Sequence, residues 1–132
     1  MGIRCSAVCL AVLVVVATER PVFVHHSVSG QFDVSKHVTL KGVISRVDWQ
    51  NPHIYVHLDV KDEAGAVTTW ALESLPTAMM RKAGLSKEAI AGTPGETVTI
   101  VGNPGRESSR NIAWIIRITY PDGHYVQLGQ QD

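Results

Sequence analysis

HVTLKGVISRVDWQNPHIYVHLDV, residues 37–60, holds two strand patterns separated by a proline-bearing break. In the first, Val38, Leu40, Gly42 and Ile44 alternate in one phase, and Val47 and Trp49 continue in the opposite phase. Side chains of a strand alternate between faces, so a change of phase within one strand implies an inserted residue, a β-bulge. Gly42 marks a point where such a strand bends sharply. A long first strand that bends and serves both halves of a sheet opens a small closed barrel. Asn51-Pro52 then interrupts the pattern, because proline donates no ladder hydrogen bond. In the second strand Ile54, Val56, Leu58 and Val60 form an apolar face, while His53, Tyr55, His57 and Asp59 form a polar one.

The rest of the chain extends this reading. Lys61–Gly65 is a turn, and Val67–Glu73 is a third strand that makes a hairpin with the second. Thr77 caps a short helix that runs through Lys82 and ends at Gly84, and Ser86–Ile90 adds one more turn. Thr97–Val101 is a fourth strand, and residues 103–109 form an exposed loop. Asn111–Thr119 is a fifth strand with Ile112, Trp114, Ile116 and Ile118 on one face, and His124–Leu128 is a short last strand. The expected fold is therefore mainly β: a five- to six-stranded OB-like barrel with one short helix between strands 3 and 4, preceded by a signal peptide. An immunoglobulin-like sandwich would need about seven strands and no central helix.

Residues 1–17, MGIRCSAVCLAVLVVVA, carry a positive start at Arg4 and an uncharged run from Ala7 to Ala17. The run is shorter than the roughly 20 residues of a spanning helix, and it has the form of a signal-peptide core cut before Thr18. A retained membrane anchor is the other reading. The expected organisation is a signal peptide over residues 1–17, an extended N-terminal arm over 18–36, the barrel over 37–128 and a C-terminal tail over 129–132. Loss of the first segment removes both cysteines, Cys5 and Cys9, and with them thiol chemistry and thiolate metal centres. It also removes Arg4 from an even balance of 12 basic and 12 acidic residues. An even balance disfavours nucleic acid as a partner. A length of 132 residues allows one domain and excludes a β/α barrel, which takes about 250 residues.

Four stretches together carry a family resemblance: HHS (His25–Ser27), VTLKGVISRVDWQNPH (Val38–His53), YVHLDVKDEAG (Tyr55–Gly65), and the TW, LE and LP pairs within Thr69–Pro76. They resemble a family of small secreted bacterial proteins classified as a domain of unknown function. The resemblance spans residues 25–126, and W-x-N-P-H at Trp49–His53 is its most specific element. It implies export and a compact β-domain, and it implies no catalytic residues. The layout also looks like that of exported OB-fold proteins that bind small ligands or envelope partners.

The candidate ligand-binding residues are Asn51, His53, Tyr55 and His57, on the strand-2 face and the preceding loop that OB-folds use for ligands. His53 and His57 lie about 13 Å apart along a regular strand, too far for one metal ion. Trp49 reads as core and Pro52 as the shaper of a corner. His25 and His26, in the arm, are the candidate metal ligands, imidazole suiting Cu(II), Ni(II) or Zn(II). Seven residues separate a cut before Thr18 from His25, so capture by a terminal amine plus histidine is lost. Asp48, Asp59 and Glu73 are available carboxylates, with nothing in the pattern selecting a pair. No Gly-x-Ser-x-Gly element and no glycine-rich loop before a helix is present. Met79-Met80 reads as filling for the end of the barrel. The functional expectation is an exported, periplasmic or secreted, non-enzymatic binding or accessory module without a cofactor. Its partner is an unknown small ligand or envelope protein, and it keeps no membrane span once the signal is removed. The alternative is an envelope metal-binding protein using His25 and His26.

Overall fold

A computed structural model describes residues 27–108 and 110–130. The expected signal peptide, the first part of the expected arm, and His25 and His26 lie outside the described residues. Six strands form one sheet: β1 (Val38–Asp48), β2 (Tyr55–Lys61), β3 (Val67–Glu73), β4 (Thr97–Pro104), β5 (Ile112–Thr119) and β6 (Tyr125–Gln127). Their order is β3-β2-β1-β4-β5-β6, and a parallel pairing of β3 with β5 closes the first five into a barrel. β6 adds an antiparallel edge to β5.

β1 makes the barrel possible. Its first half, Val38–Val43, pairs with β4, and its second half, Val43–Asp48, pairs with β2. The expected change of phase is present as a bulge: Ile44 faces Leu58 and Arg46 faces His57, which leaves Ser45 as the extra residue. Leu40 before the bulge and Val47 after it therefore both enter the core. Gly42 lies just before the bulge and serves a different purpose. A Cβ there would collide with the backbone carbonyl of Asp59, because β2 crosses β1 closely where β1 leaves β4.

A second bulge corrects the expected face of β5. Val101 pairs with Arg117 and Gly102 with Ile115, so Ile116 is the extra residue. The core-facing residues are Ala113 and Ile115 before the bulge and Ile118 and Tyr120 after it. Trp114 and Ile116 are buried from the other side, Trp114 against Phe32 and Ile116 beneath Leu128 and Gly129, whose amides donate to its carbonyl. Simple alternation over Ile112–Ile118 fails because the bulge advances the phase midway through the run.

The connection from β3 to β4 carries two short helices rather than one, α2 (Thr77–Lys82) and α3 (Lys87–Ala91); the first helix of the chain, α1, is one turn over Val28–Gln31. Ser86 caps α3, its hydroxyl accepting from the Ala89 amide at 3.1 Å. Met80 and Ile90 are fully buried in the barrel core, whereas Met79 is exposed, so only one of the two methionines fills the interior. The Tyr120 hydroxyl donates to the carbonyls of Ala89 and Ile90 at 3.1 and 2.8 Å, which ties α3 to the end of β5. Burial pushes this phenol up to about 12.

The segment before β1 is not uniformly extended. After α1, Phe32 is buried, forms a bridge with Gly105 and lies 6.1 Å from the Trp114 ring. The Asn103 side-chain amide donates to the carbonyls of Lys36 at 2.9 Å and Val34 at 3.4 Å. The segment thus clips onto the outside of β4 and β5. Gly42→Ala, which overpacks the crossing of β1 and β2, is expected to destabilise the protein by about 1–3 kcal/mol, read as a lower urea midpoint.

Candidate functional site

The register of the barrel places one residue from each strand in a lateral row. Asp48 faces Tyr55, Tyr55 faces Glu73, Glu73 faces Trp114, and Trp114 faces Asn103. Asp48, Tyr55, Glu73 and Trp114 each adjoin a core residue of their own strand: Val47, Val56, Leu72 and Ala113. Strand alternation therefore turns the row to the outside of the barrel. Glu73 and Asn103 are nonetheless buried, each only 6% exposed.

The carboxylate of Glu73 contacts His53 Nδ1, and Tyr55 lies opposite Glu73 across the hairpin. Beside this cluster the Trp114 ring meets the His53 ring edge-on, with centroids 5.9 Å apart. A carboxylate out of water needs donors, and the imidazole supplies one. With Nδ1 donating to Glu73, a neutral His53 carries its lone pair on Nε2, a tautomer assigned from the hydrogen-bond pattern. Burial, and then the negative charge and hydrogen bond of Glu73, push the Tyr55 phenol above its ordinary range.

On the other side of Tyr55 lies a second imidazole–carboxylate pair. His57 Nε2 is 2.8 Å from Asp48 Oδ2 and 2.9 Å from Arg46 Nη2. One ring nitrogen cannot serve both neighbours at once. Protonated, it donates to Asp48; unprotonated, it accepts from Arg46. Arg46 Nε also lies 2.9 Å from Asp48 Oδ1. The hydrogen bond from His57, with the charge of Arg46 beside it, holds the Asp48 carboxyl below the usual carboxylate range.

Three of the four ligand-binding candidates therefore share one surface, but they are more buried than a free polar face. The side chains of His53 and His57 keep 27% and 18% exposure because each is drawn onto a carboxylate of a flanking strand. The two histidines turn to opposite neighbours of β2, one to β3 and one to β1, in keeping with the distance argument against a shared metal. Asn51 plays a different part: its side-chain carbonyl accepts from the Thr77 hydroxyl at 2.6 Å and ties the β1–β2 loop to the start of α2. The Asn51–Pro52 bond beside it is cis. Trp49 packs partly buried against the core. Asp59 accepts from the Thr69 hydroxyl across the hairpin at 2.7 Å. Among the described residues no three or more His, Cys, Asp or Glu side chains gather around a point that would hold a metal ion. No helix among them is long and apolar enough to cross a membrane.

The residues that sequence reasoning left unselected are Glu73, Asp48 and Trp114. The signal for Glu73 was present in the hairpin. Stepping back from the turn, residue by residue, pairs Lys61 with Val67 and arrives at Tyr55 opposite Glu73. Trp114 had no such signal, because its neighbour across the parallel seam is fixed only when the barrel closes.

A family model described as a family of unknown function, DUF6152, matches residues 12–113. No curated protein and no solved structure matches the chain.

The depressed Asp48 carboxyl contributes stability that is present above the carboxylate's unfolded-state pKa of about 3.9 and lost as pH falls through its lower folded value. Thermal midpoints of wild type and Asp48→Asn should differ at pH 6 and converge as the pH falls below the unfolded-state value of about 3.9 and through the lower folded one. A gap that persists unchanged at low pH would show that the ion pair does not contribute in this way.

Proposed function

Because the chain belongs to DUF6152, a family of unknown function, we propose a role from the geometry: a non-enzymatic binding or accessory module that works outside the cytoplasm. The carrying observation is the pair of imidazoles flanking Tyr55, each held by a carboxylate from the neighbouring strand. Side chains fixed in this way lose little entropy when a ligand arrives, which favours affinity for a preformed surface. Tyr55 offers a ring, His53 and His57 offer polar edges, and Arg46 offers a cation at the rim. That combination suits a small polar ligand or a peptide segment of an envelope partner. Export rests on Arg4 and the apolar run Ala7–Ala17, and a periplasmic or secreted site of action follows from it.

The reading makes a direct demand of Tyr55 and His57. A Tyr55→Ala/His57→Ala variant should keep its thermal midpoint within about 5 °C of wild type, since neither side chain belongs to the core. Native mass spectrometry of protein recovered from its own envelope should show a retained molecule on wild type and none on the variant. Unfolding of the variant, or equal retention by both, would return these residues to a structural role.

One further observation favours the metal reading as a second possibility. A histidine whose Nδ1 is held by a carboxylate presents Nε2 in the manner of a metal ligand with its supporting partner. In this reading His25 and His26 join His53 around Cu(II), Zn(II) or Ni(II). Calorimetric titration with Cu(II) and Zn(II) should then show at least about tenfold weaker binding in both His25→Ala/His26→Ala and His53→Ala. Wild-type affinity no tighter than that of the double variant removes the idea.

A further inference from the structure

The β4–β5 loop, the segment before β1 and one tryptophan of β3 enclose a hollow that the β2 face does not use. Its volume is about 300 Å³, and its lining includes Trp70, Pro104, Arg106, Ser108, Arg110 and Ile112, with Asp33 and Lys36 at one side. Three parts of the chain far apart in sequence meet here, and hydrogen bonds fasten them together. The Asp33 amide donates to the Pro104 carbonyl at 2.8 Å, the Arg106 amide to Gln31 at 2.9 Å, and Arg106 Nε to the Ser29 carbonyl at 2.9 Å.

The charges of the lining do not cancel. Asp33 is held at about 2 by hydrogen bonds from Ser35 and Lys36, so it is ionised, and at 3.1 Å it offsets Lys36. Arg106 donates through Nε to a neutral carbonyl, which leaves its charge in place. Arg110 meets Glu107 at 3.7 Å, beyond good hydrogen-bond range, with both side chains more than half exposed, so this pair holds the guanidinium weakly. Two guanidinium groups therefore line a hollow whose floor is a half-buried indole packed against the barrel core.

We propose that this hollow binds a small anion attached to a flat ring: an aryl phosphate, sulfonate or carboxylate. Guanidinium groups match such anions in charge, and their planar fork of N–H donors suits two of the anion's oxygens at once. Trp70 supplies a rigid aromatic wall for a ring, Ile112 and Pro104 extend the apolar side, and Ser108 in the lining carries a hydroxyl as a further donor. The volume stands at the lower end of small-molecule sites, roughly 300–1,000 Å³, which sets the ligand at one ring and one anionic group.

Phenyl phosphate, inorganic phosphate and benzyl alcohol are the probes, followed by amide and indole NMR shifts of the isotope-labelled protein. Phenyl phosphate should give saturable shifts at the Trp70 indole, Gly105 and Ile112, and each half-ligand alone should bind at least about tenfold more weakly. Arg110→Ala should weaken phenyl phosphate about fivefold or more with an unchanged thermal midpoint; its side chain ties down no other segment, whereas Arg106→Ala would also release Ser29. The proposal is overturned by non-saturable shifts, by shifts confined to other surfaces, by inorganic phosphate binding as tightly as phenyl phosphate, or by an indifferent Arg110→Ala.

Discussion

The close crossing of β1 over β2 is the constraint on which the rest of this barrel depends. One strand of 11 residues must pair with β4 along its first half and with β2 along its second. It can do so only by bending hard enough to bring the Asp59 backbone against Gly42, where a side chain has no room. The bulge at Ser45 then restores the apolar phase, so that Leu40 and Val47 reach the same interior from two halves of a bent strand. β3 meets β5 because of that bend, and the parallel seam that results removes the sheet edge a flat arrangement would leave open.

Closure also builds the candidate site. Glu73 belongs to the outward phase of β3, yet it is buried because Trp114 arrives beside it across the seam and because His53 and Tyr55 turn onto it. A carboxylate in such a position needs a donor, and His53 Nδ1 is in contact with it. The segment before β1 completes the enclosure by laying Phe32 over Trp114. The polar face of β2 is thus a set of side chains fixed by strands on both sides rather than a solvated row.

Much of this was legible in the residues alone. Period-two alternation located β1, β2 and β3, the Asn51-Pro52 break located the corner, and the reversal of phase between Ile44 and Val47 announced the first bulge. The same logic misread β5. Its run of apolar residues is so continuous that a phase change leaves no gap in the pattern, and an outward Trp114 looks no different from an inward one. The loop position made Asn51 a candidate, but no local pattern shows that its side-chain carbonyl is engaged by Thr77, a partner more than two dozen positions away.

By itself, then, the sequence determined the kind of element most segments form and the order in which the strands follow, because alternation, proline and turn chemistry act over a few neighbouring residues. It also determined which side chains of β2 are apolar and which polar. Only the tertiary structure decided that Glu73 is buried, that His53 and His57 go to different carboxylates, and that Trp70 ends beside Arg106 and Arg110. Those facts depend on register across strands and on closure through β3 and β5, which join residues far apart in the chain, and no local pattern encodes a distance between them.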